Sequence, residues 1–517
     1  MMWNRGLILL VFALIAHAHT HFQDRCLGFG AQYHVEESTL NLLEYVAAGS
    51  NVTFPDNEPT CNRGSQIANV ALCRIALFVP TSSRSGIVYE LWLPEEWNGR
   101  TLATGNGGID GSFGTNNGHN GTTGEVFYHN EDVLIDYAWR ALRVSVQVGR
   151  SLVATFYRSN LGKSYYIGCS LGGRQGIGSA EMFPEDFDGI VAGAPAVDFN
   201  DLYSWRASFY TVTGAVESPN FISPDTWKTM IHDEILRQCD LIDGVADGII
   251  EDPALCHWDP DGLSCDSSSR NATECLSSYQ IDIVKTIFSS YLWPDGTTLY
   301  SRMNPGSEIL AADGLYSGKP YSPSADWFRF VVLENPSWNP ATYSKQDAIL
   351  AAQRNPANIK TWPSRLDSFQ HRGGKIISYH GQQDQQISSL NSLRFWKQLV
   401  DGMHGDAGRL GEFYRLFRIP GMNHCSGGPG AWTIGQGGSE TAYAIPFDGL
   451  HNVLAAVVDW VEKDKAPEHL IGTKFTNDSV AAGIMYQHRH CRFPYRSTYR
   501  GRGEPELINN WDCLDSR

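Results

Sequence analysis

Positive charge is the scarcer sign in this chain, which has 40 Lys and Arg against 56 Asp and Glu in 517 residues. The basic residues form no stripe, so we do not expect nucleic acid as a partner. Beyond the N-terminal residues, the sequence lacks an apolar run long enough to cross a bilayer, so we do not expect a membrane partner either. It also lacks internal repeats and low-complexity segments. These absences favour a globular protein that is large enough for more than one domain.

The N-terminus has the composition of a secretory signal peptide, which we place at residues 1–18. Arg5 supplies the positive end, and Leu7 to Ile15 form the apolar core. Ala16-His17-Ala18 gives the small-x-small pattern of a cleavage site. We therefore expect a secreted, extracellular protein whose mature chain begins near His19.

Secretion makes the cysteines candidates for disulfide bonds. The chain has 11 cysteines, and an odd number leaves at least one without an intrachain partner. Secretion also makes N-x-S/T sequons candidates for surface glycans. The sequons of this chain begin at Asn51, Asn120, Asn271 and Asn477.

A G-x-S-x-G pattern centred on Ser170 suggests a nucleophile. The aromatic and β-branched run Tyr165–Ile167 before it predicts a buried strand, and Arg174–Met182 after it suits a helix. In this context Ser170 would lie on a strained turn, and the backbone N–H of Leu171 would point at a developing oxyanion. The alternative is a glycine-rich turn that holds a structural serine.

The region before this pattern predicts antiparallel strands and then a helix. Strands are expected at Val70–Phe78, Ile87–Leu93 and Thr101–Thr104, and a helix at about Asn130–Arg143. A glycine-rich loop that ends at Gly108 directly follows the third strand. In α/β-hydrolases a loop at this place supplies a second oxyanion donor, and we assign that role to the backbone of Gly108. The alternative is an ordinary strand-ending turn.

Two later strands each end next to a residue with acid–base chemistry. Asp384 follows the predicted strand Lys375–Tyr379, and His424 follows the predicted strand Phe413–Ile419. The order nucleophile, acid, base is that of α/β-hydrolases, where the acid orients the base and the base takes the nucleophile's proton. His380 is a rival base, but it precedes the acid and lies too close to it for the usual order.

Two cysteines flank the candidate nucleophile and base. Cys169 immediately precedes Ser170, and Cys425 immediately follows His424. If these cysteines form a disulfide, their Cα atoms lie about 4.4–6.8 Å apart, which confines the two flanked residues to one neighbourhood. The alternative is that each cysteine pairs elsewhere or stays free.

Composition divides the chain into two predicted domains. Residues 19–197 and 366–517 carry the strand signals and form the expected catalytic domain, which closes with an amphipathic helix at Asn452–Lys463. Residues 198–365 are rich in Trp, Pro, Ser and Tyr and include four cysteines. We therefore expect an α/β-hydrolase fold with a large lid domain inserted between the nucleophile and the acid.

With these residues in hand, the chain resembles the fungal tannase and feruloyl esterase family over nearly its whole mature length. The motifs that carry the resemblance are Tyr166–Gly176, Phe187–Ala196 and Gly421–Cys425. The resemblance implies a serine esterase that cleaves plant phenolic esters with Ser170, Asp384 and His424, through an acyl-enzyme and without an organic cofactor. The alternatives are a carboxylesterase for another aryl ester and a catalytically inactive hydrolase fold used for binding. No pattern indicates the oligomeric state or the acyl preference.

The resemblance also implies a calcium site in the lid, between Cys239 and Ile250. Three aspartates interleave with glycines here, and such an oxygen-rich turn suits Ca²⁺, although a solvated acidic turn is the alternative. The ligands that the resemblance implies are the carboxylates of Asp240, Asp243 and Asp247 and the backbone carbonyls of Val245 and Ile249.

The chain departs from the family pattern between Gly111 and Gly114, where a longer loop that contains a cysteine is usual. That cysteine would be the expected partner of Cys61. The disulfides that the resemblance implies are Cys26–Cys73, Cys169–Cys425, Cys239–Cys256, Cys265–Cys275 and Cys491–Cys513. Cys61 is then the cysteine expected to lack an intrachain partner.

Overall fold

The computed structural model describes residues 21–55, 57, 64–109, 116–265, 275–437 and 440–515. The chain divides into two compact units, Met1–Ser164 and Tyr165–Arg517. Several predictions lie outside the described residues, namely the signal peptide at 1–18, Cys61, the shortened loop at 111–114 and the sequon at Asn271.

The first unit is built on antiparallel strands. Its strands are β1 (Thr39–Val46), β2 (Asn51–Thr53), β3 (Ser65–Ile67), β4 (Leu72–Pro80), β5 (Gly86–Pro94) and β6 (Thr101–Thr104). β4 lies between β1 and β5, and β2 pairs with β3. Cys73 in β4 faces Tyr45 of β1 and Leu93 of β5. The antiparallel strands that the sequence predicts at Val70–Phe78 and Ile87–Leu93 are confirmed as β4 and β5, with ends that differ by at most two residues. The strand predicted at Thr101–Thr104 is present as β6, but it belongs to a different sheet from β4 and β5.

A helix covers one face of this sheet. The helical turns Glu131–Ile135 and Asp136–Arg140 lead into helix α1 (Ala141–Tyr157). Leu152, Val153 and Phe156 of α1 are buried in one core with side chains of β4 and β5. The predicted end of this helix at Arg143 is wrong, because the apolar face continues to Phe156 and rewards helix formation beyond that point.

The second unit contains a parallel sheet, together with several hairpins. Its strands are β7 (Ser164–Cys169), β8 (Gly189–Gly193), β9 (Tyr291–Leu292), β10 (Thr298–Tyr300), β11 (Lys375–Gly381), β12 (Tyr414–Ile419), β13 (His469–Phe475), β14 (Ile484–Cys491), β15 (Tyr495–Tyr499) and β16 (Trp511–Asp515). The order β12-β11-β8-β7 is parallel throughout. The carboxyl ends of these strands therefore share one edge, where ligands bind in open α/β sheets.

The second unit also contains helices. Those of eight or more residues are α2 (Leu171–Met182), α3 (Phe199–Thr213), α4 (His232–Cys239), α5 (Ser278–Ile287), α6 (Lys345–Arg354), α7 (Ser389–Gly402) and α8 (Val453–Lys463). The shorter helical turns include Pro224–Thr226, Trp227–Ile231, Glu308–Ala311, Ser322–Asp326, Trp327–Val332, Asp367–His371, Ala407–Gly411 and Glu440–Ala444. The predicted closing helix is confirmed as α8. Asn452 caps it by accepting hydrogen bonds from the N–H groups of Leu454 and Ala455, both at 3.0 Å.

β8 and β11 are neighbours in the sheet, although a long segment, residues 194–374, separates them in sequence. This segment contains helices α3 to α6 and the β9–β10 hairpin. Its aromatic residues pack on one another, and the ring centroids are 4.9 Å apart for Trp205 and Tyr300 and 4.8 Å apart for Trp227 and Tyr316. The segment therefore carries an aromatic core of its own.

Five disulfides link the described cysteines, and they are the pairs that the resemblance implies. They are Cys26–Cys73, Cys169–Cys425, Cys239–Cys256, Cys265–Cys275 and Cys491–Cys513. Among the described residues, none of the helices is both long and apolar enough to span a membrane.

Candidate active site

Ser170 occupies a sharp turn between strand β7 and helix α2. Its backbone has φ 63° and ψ −120°, a conformation that non-glycine residues seldom adopt and that costs free energy wherever it occurs. Hydrogen bonds hold it, because its N–H donates to the Gly193 carbonyl at 2.9 Å and its own carbonyl accepts from Ala196 at 3.0 Å. The predicted succession of strand, tight turn and helix is confirmed, and its geometry is that of a nucleophile elbow.

A glycine before the serine lets the chain cross itself in this turn. A Cβ atom on Gly168 would lie 2.7 Å from the carbonyl carbon of Gly172 and 2.6 Å from the hydroxyl oxygen of Tyr166. Both distances are shorter than a Cβ atom tolerates. The strained backbone of Ser170 therefore depends on Gly168.

Asp384 lies in the loop that follows β11, and its side chain is fully buried. Its Oδ1 accepts hydrogen bonds from the backbone N–H groups of Gln386 at 2.7 Å and Ile387 at 2.8 Å. Its Oδ2 lies 2.7 Å from His424 Nδ1 and 3.1 Å from His380 Nε2. Both oxygens of the carboxylate are thus engaged by two donors each.

The balance of burial and charge sets the protonation state of this carboxyl group. Burial alone would raise the pKa of Asp384, but the charge of His424 and the hydrogen bonds from His380 and His424 outweigh it. The pKa of Asp384 is therefore held well below its usual value. The residue is a carboxylate at any pH at which the protein would work.

His424 lies in the loop after β12, next to the acid loop. Its backbone N–H donates to the side-chain oxygen of Gln385 at 3.0 Å. The two loops pack backbone to backbone, because the N–H of Gln383 donates to the Met422 carbonyl at 2.9 Å and a Cβ atom on Gly381 would overlap that carbonyl oxygen. Sequence reasoning missed Gln385, since no spacing rule predicts which amide of a loop meets a neighbouring backbone.

The disulfide between Cys169 and Cys425 links the serine turn to the base loop. The Cα atoms of the two cysteines are 6.1 Å apart, within the range expected from the sequence. Cys425 itself has a left-handed backbone, with φ 64°. The bridge therefore holds Ser170 and His424 in one neighbourhood, as their adjacent cysteines require.

The arrangement suits general-base activation of a hydroxyl group. The Nδ1 nitrogen of His424 donates its proton to the Asp384 carboxylate, which leaves Nε2 as the acceptor. Ser170 precedes the first turn of α2, where the N–H groups have no acceptor within the helix. Leu171 is the first residue of that turn, the position required of a backbone oxyanion donor.

Gly108 belongs to the first unit. Its backbone has φ +56°, a left-handed conformation that favours glycine. Its carbonyl accepts a hydrogen bond from the Tyr137 hydroxyl at 2.7 Å. The predicted role of its N–H as a second oxyanion donor stays a prediction.

The acidic segment of residues 240–249 forms a helical turn, Asp240–Asp243, followed by a loop with positive-φ glycines. Backbone N–H groups within it donate to its carboxylates at 3.0 Å, from Val245 to Asp243, from Gly248 to Asp240 and from Ile249 to Asp247. Burial and the charges of Asp247 and Asp240 raise the pKa of Asp243 to about 6. Across the described residues, no group of three or more His, Cys, Asp and Glu side chains is arranged to hold a metal ion.

The described sequon asparagines lie at the surface. Asn51, Asn120 and Asn477 are all exposed, as a glycan requires. Whether they carry glycans stays a prediction.

Comparison with known families gives matches over most of the chain. A family model described as tannase and feruloyl esterase matches residues 73–328 and 329–514. A probable feruloyl esterase B-2 of Aspergillus flavus is 50% identical over 490 residues, which cover 92% of this chain and 94% of that protein. A probable feruloyl esterase B-2 of Aspergillus oryzae is 45% identical over 509 residues, which cover 95% of this chain and 96% of that protein.

Solved structures match as well. The crystal structure of feruloyl esterase B from Aspergillus oryzae is 42% identical with a TM-score of 0.91, and the match covers 95% of this chain and 100% of that chain. Tannin acyl hydrolase from Aspergillus niger is 21% identical with a TM-score of 0.71, and the match covers 93% of this chain and 92% of that chain. At that identity the second match speaks for the fold alone. These neighbours and the parallel sheet agree with an α/β-hydrolase type of fold.

Proposed function

Because the chain belongs to the tannase and feruloyl esterase family and is a carboxylic ester hydrolase, we propose that it hydrolyses phenolic acid esters of plant origin, feruloyl or galloyl, through Ser170, His424 and Asp384. The observation that carries this proposal is the 2.7 Å contact between His424 Nδ1 and the buried Asp384 carboxylate, in a loop tied by a disulfide to the strained turn of Ser170. The names of the similar proteins support the choice of acyl group.

In the proposed reaction, His424 Nε2 takes the proton of the Ser170 hydroxyl while the serine oxygen attacks the ester carbonyl. The Asp384 carboxylate fixes the tautomer of His424 and stabilises its charged form. The backbone N–H groups of Leu171 and Gly108 are the proposed donors to the oxyanion. His424 then protonates the departing alcohol, and a water molecule, activated by the same imidazole, releases the phenolic acid from Ser170.

We propose that residues 198–365 form the lid domain and that residues 19–197 and 366–517 form the catalytic domain. Two observations support this division. The segment enters the chain between two neighbouring strands, β8 and β11, and it packs aromatic side chains such as Trp205 and Tyr300 on one another. A large aromatic segment beside the strand ends is suited to covering an aromatic acyl group.

Calcium in the lid is part of the proposal. The donor set of three carboxylates and two backbone carbonyls, at Asp240, Asp243, Val245, Asp247 and Ile249, consists only of oxygen atoms, which Ca²⁺ prefers. Burial first, and then the repulsion of Asp247 and Asp240, raises the pKa of Asp243, and a bound hard cation would offset both costs of holding a negative charge there. Bound calcium would supply structural charge balance, and no step of the ester chemistry passes through it.

Secretion is the proposed location. The signal-peptide pattern at residues 1–18 supports it, as do the five disulfides, which persist in oxidising compartments. Exposed sequons at Asn51, Asn120 and Asn477 agree with passage through a glycosylating pathway.

The proposed substrate class is tested by the release of acid from matched methyl esters. We expect the secreted protein to release ferulate from methyl ferulate or gallate from methyl gallate, and the ratio of the two kcat/KM values gives the acyl preference. Ser179→Ala is the matched control for Ser170→Ala, since Ser179 is a buried serine in α2, the helix that begins directly after Ser170. Hydrolysis of simple aryl acetates without hydrolysis of either phenolic ester would contradict the proposed substrate class.

A further inference from the structure

His380 is a second histidine on the candidate acid. It is the penultimate residue of β11 and is fully buried. Its Nε2 lies 3.1 Å from Asp384 Oδ2 and 3.1 Å from the Ile387 carbonyl oxygen. Its Nδ1 lies 2.7 Å from the hydroxyl oxygen of Ser392 on helix α7. Both ring nitrogens are therefore engaged, and neither is available to a substrate.

The partners of His380 determine where its proton lies. A carboxylate and a carbonyl oxygen are both acceptors, so Nε2 must carry the hydrogen that they share. In the neutral ring Nδ1 is then an acceptor, and Ser392 donates its hydroxyl hydrogen to it. His380 is thus a donor to Asp384, on the same oxygen that His424 binds.

We propose that His380, supported by Ser392, is a positioning residue for ester hydrolysis that holds Oδ2 of Asp384 in place for His424. The inference rests on the proposed function of Asp384 and His424. The rival role of His380 as the general base does not fit, because its nitrogens are occupied and its side chain has no exposure.

The proposed role has an electrostatic consequence besides the geometric one. The hydrogen bond from His380 disperses the negative charge of the Asp384 oxygen that faces His424. Without this donor, the carboxylate would attract the proton of the charged His424 ring more strongly. The protonated, inactive form of the base would then persist to higher pH.

The test compares two substitutions at His380. Glutamine can place an amide N–H near the position of Nε2, whereas leucine fills similar space without a donor. We expect His380→Leu to lower kcat on methyl ferulate or methyl gallate by roughly 10- to 100-fold with a small change in KM. We also expect the acid limb of its kcat/KM profile to move to higher pH, by about half a unit or more. His380→Gln should recover most of kcat and the position of the limb.

A matched control separates positioning from stability. His490 is also a buried histidine whose Nε2 contacts a backbone carbonyl, that of Ala431 at 2.8 Å. His490→Leu and His490→Gln should change the melting temperature without moving the acid limb. Ser392→Ala removes one oxygen atom and supplies a second variant if His380→Leu fails to fold. It should move the limb in the same direction by a smaller amount.

The proposal is overturned if His380→Leu keeps the acid limb of the wild-type kcat/KM profile and loses activity only in proportion to its folded fraction. If His380→Leu does not fold, the same result for Ser392→Ala overturns it. Equal kcat values for the leucine and glutamine variants would overturn it too. Failure of the proposed function has a different signature, because Ser170→Ala or Asp384→Asn would then retain near-normal turnover in the same assay.

Discussion

At the scale of single residues, Asp384 shows how a buried charge is made tolerable. An isolated carboxylate would be expensive in this interior, and the carboxyl group would protonate instead. The charge of His424 and the hydrogen bonds from both histidine rings reverse this outcome, and two backbone N–H groups donate to the other carboxylate oxygen. The cost of burial thus yields a fixed negative charge beside His424, which is what a base with a defined tautomer requires.

Asp384→Asn tests this reading. The amide keeps the size of the side chain, but it carries no negative charge, and its NH₂ group cannot accept a hydrogen bond from a histidine N–H. The imidazole of His424 is then free to take the wrong tautomer. We expect kcat to fall on the order of 10⁴-fold with KM little changed. Steady-state kinetics measures this, and Asp201→Asn, at another buried aspartate of the second unit, is the control that should retain kcat. A loss below tenfold would remove Asp384 from the proposed triad.

The residue types of the candidate site could be predicted from the sequence, but their contacts could not. Asp384 and His424 each follow a predicted strand, and the structure brings them within 2.7 Å of one another. The contact of Gln385 with the His424 backbone and the place of His380 behind the acid depend on how two loops pack, which no local pattern encodes. His380 carried one usable signal, its position four residues before the acid at a strand end.

At the scale of secondary-structure elements, strands and the serine turn follow from local pattern, while helix lengths depend on tertiary packing. β11 and β12 start and end within two residues of their predictions. Helix α1 runs well past its predicted end, because burial of Leu152 and Phe156 against the sheet of the first unit stabilises residues that propensity alone does not fix. The disulfide pairs came from the family resemblance rather than from spacing.

The bridge between the serine turn and the base loop makes a prediction at this scale. The two cysteines are 256 residues apart in sequence, so the disulfide closes a long loop in the unfolded chain. Replacing Cys169 and Cys425 with alanine should cost about 2–5 kcal/mol of stability and should lower kcat by misplacing His424. The control is the pair Cys491 and Cys513, which joins β14 to β16. Its removal should lower the melting temperature while kcat is kept, and unchanged kcat in the first variant would contradict the bridge's role.

Two buried aspartates, Asp198 and Asp201, lie at the start of helix α3 and make the stability of the protein depend on pH. Burial and the charge of Asp198 raise the pKa of Asp201 to about 8, against Lys360 and Arg394, which lower it. The folded state therefore binds a proton that the unfolded state releases near pH 4. This contribution to stability is full below about pH 4 and is lost as pH rises toward 8.

Asp201→Asn should remove this pH dependence, since the amide is neutral at every pH. We expect the melting temperature of the wild type to fall between pH 5 and 8 relative to the variant, by a few degrees. Calorimetry of both proteins over this range measures it. Parallel curves would show that Asp201 titrates normally in the folded protein.

At the scale of the whole molecule, the second unit combines a parallel sheet with a long insertion between β8 and β11. The sequence predicts this insertion from its change in composition near residue 198. The chain divides most sharply elsewhere, between Ser164 and Tyr165, because the antiparallel part of the first unit forms its own core. The composition of a segment does not predict this boundary, because the boundary depends on contacts between residues that are far apart in sequence.

Calcium provides the stability prediction for the whole molecule. If Ca²⁺ binds the folded insertion and not the unfolded chain, it stabilises the protein by mass action. Chelation should then lower the melting temperature, and Asp243→Asn should abolish the difference between calcium-loaded and chelated samples. The kinetics of ester hydrolysis at low temperature should change little in either sample. Equal melting curves for the loaded and chelated wild type would refute a bound calcium.

The central claim is that Ser170 is the nucleophile, and active-serine labelling tests it most directly. The wild type and the variants Ser170→Ala and Ser179→Ala are treated with a fluorophosphonate probe, and peptide mass spectrometry locates the labelled residue. The rate of each protein is also measured on methyl ferulate and methyl gallate. The account predicts a label on Ser170 in the wild type and in Ser179→Ala, and no label with a rate at least about 10³-fold lower in folded Ser170→Ala. A label on another residue, or near-normal turnover by Ser170→Ala, would contradict it.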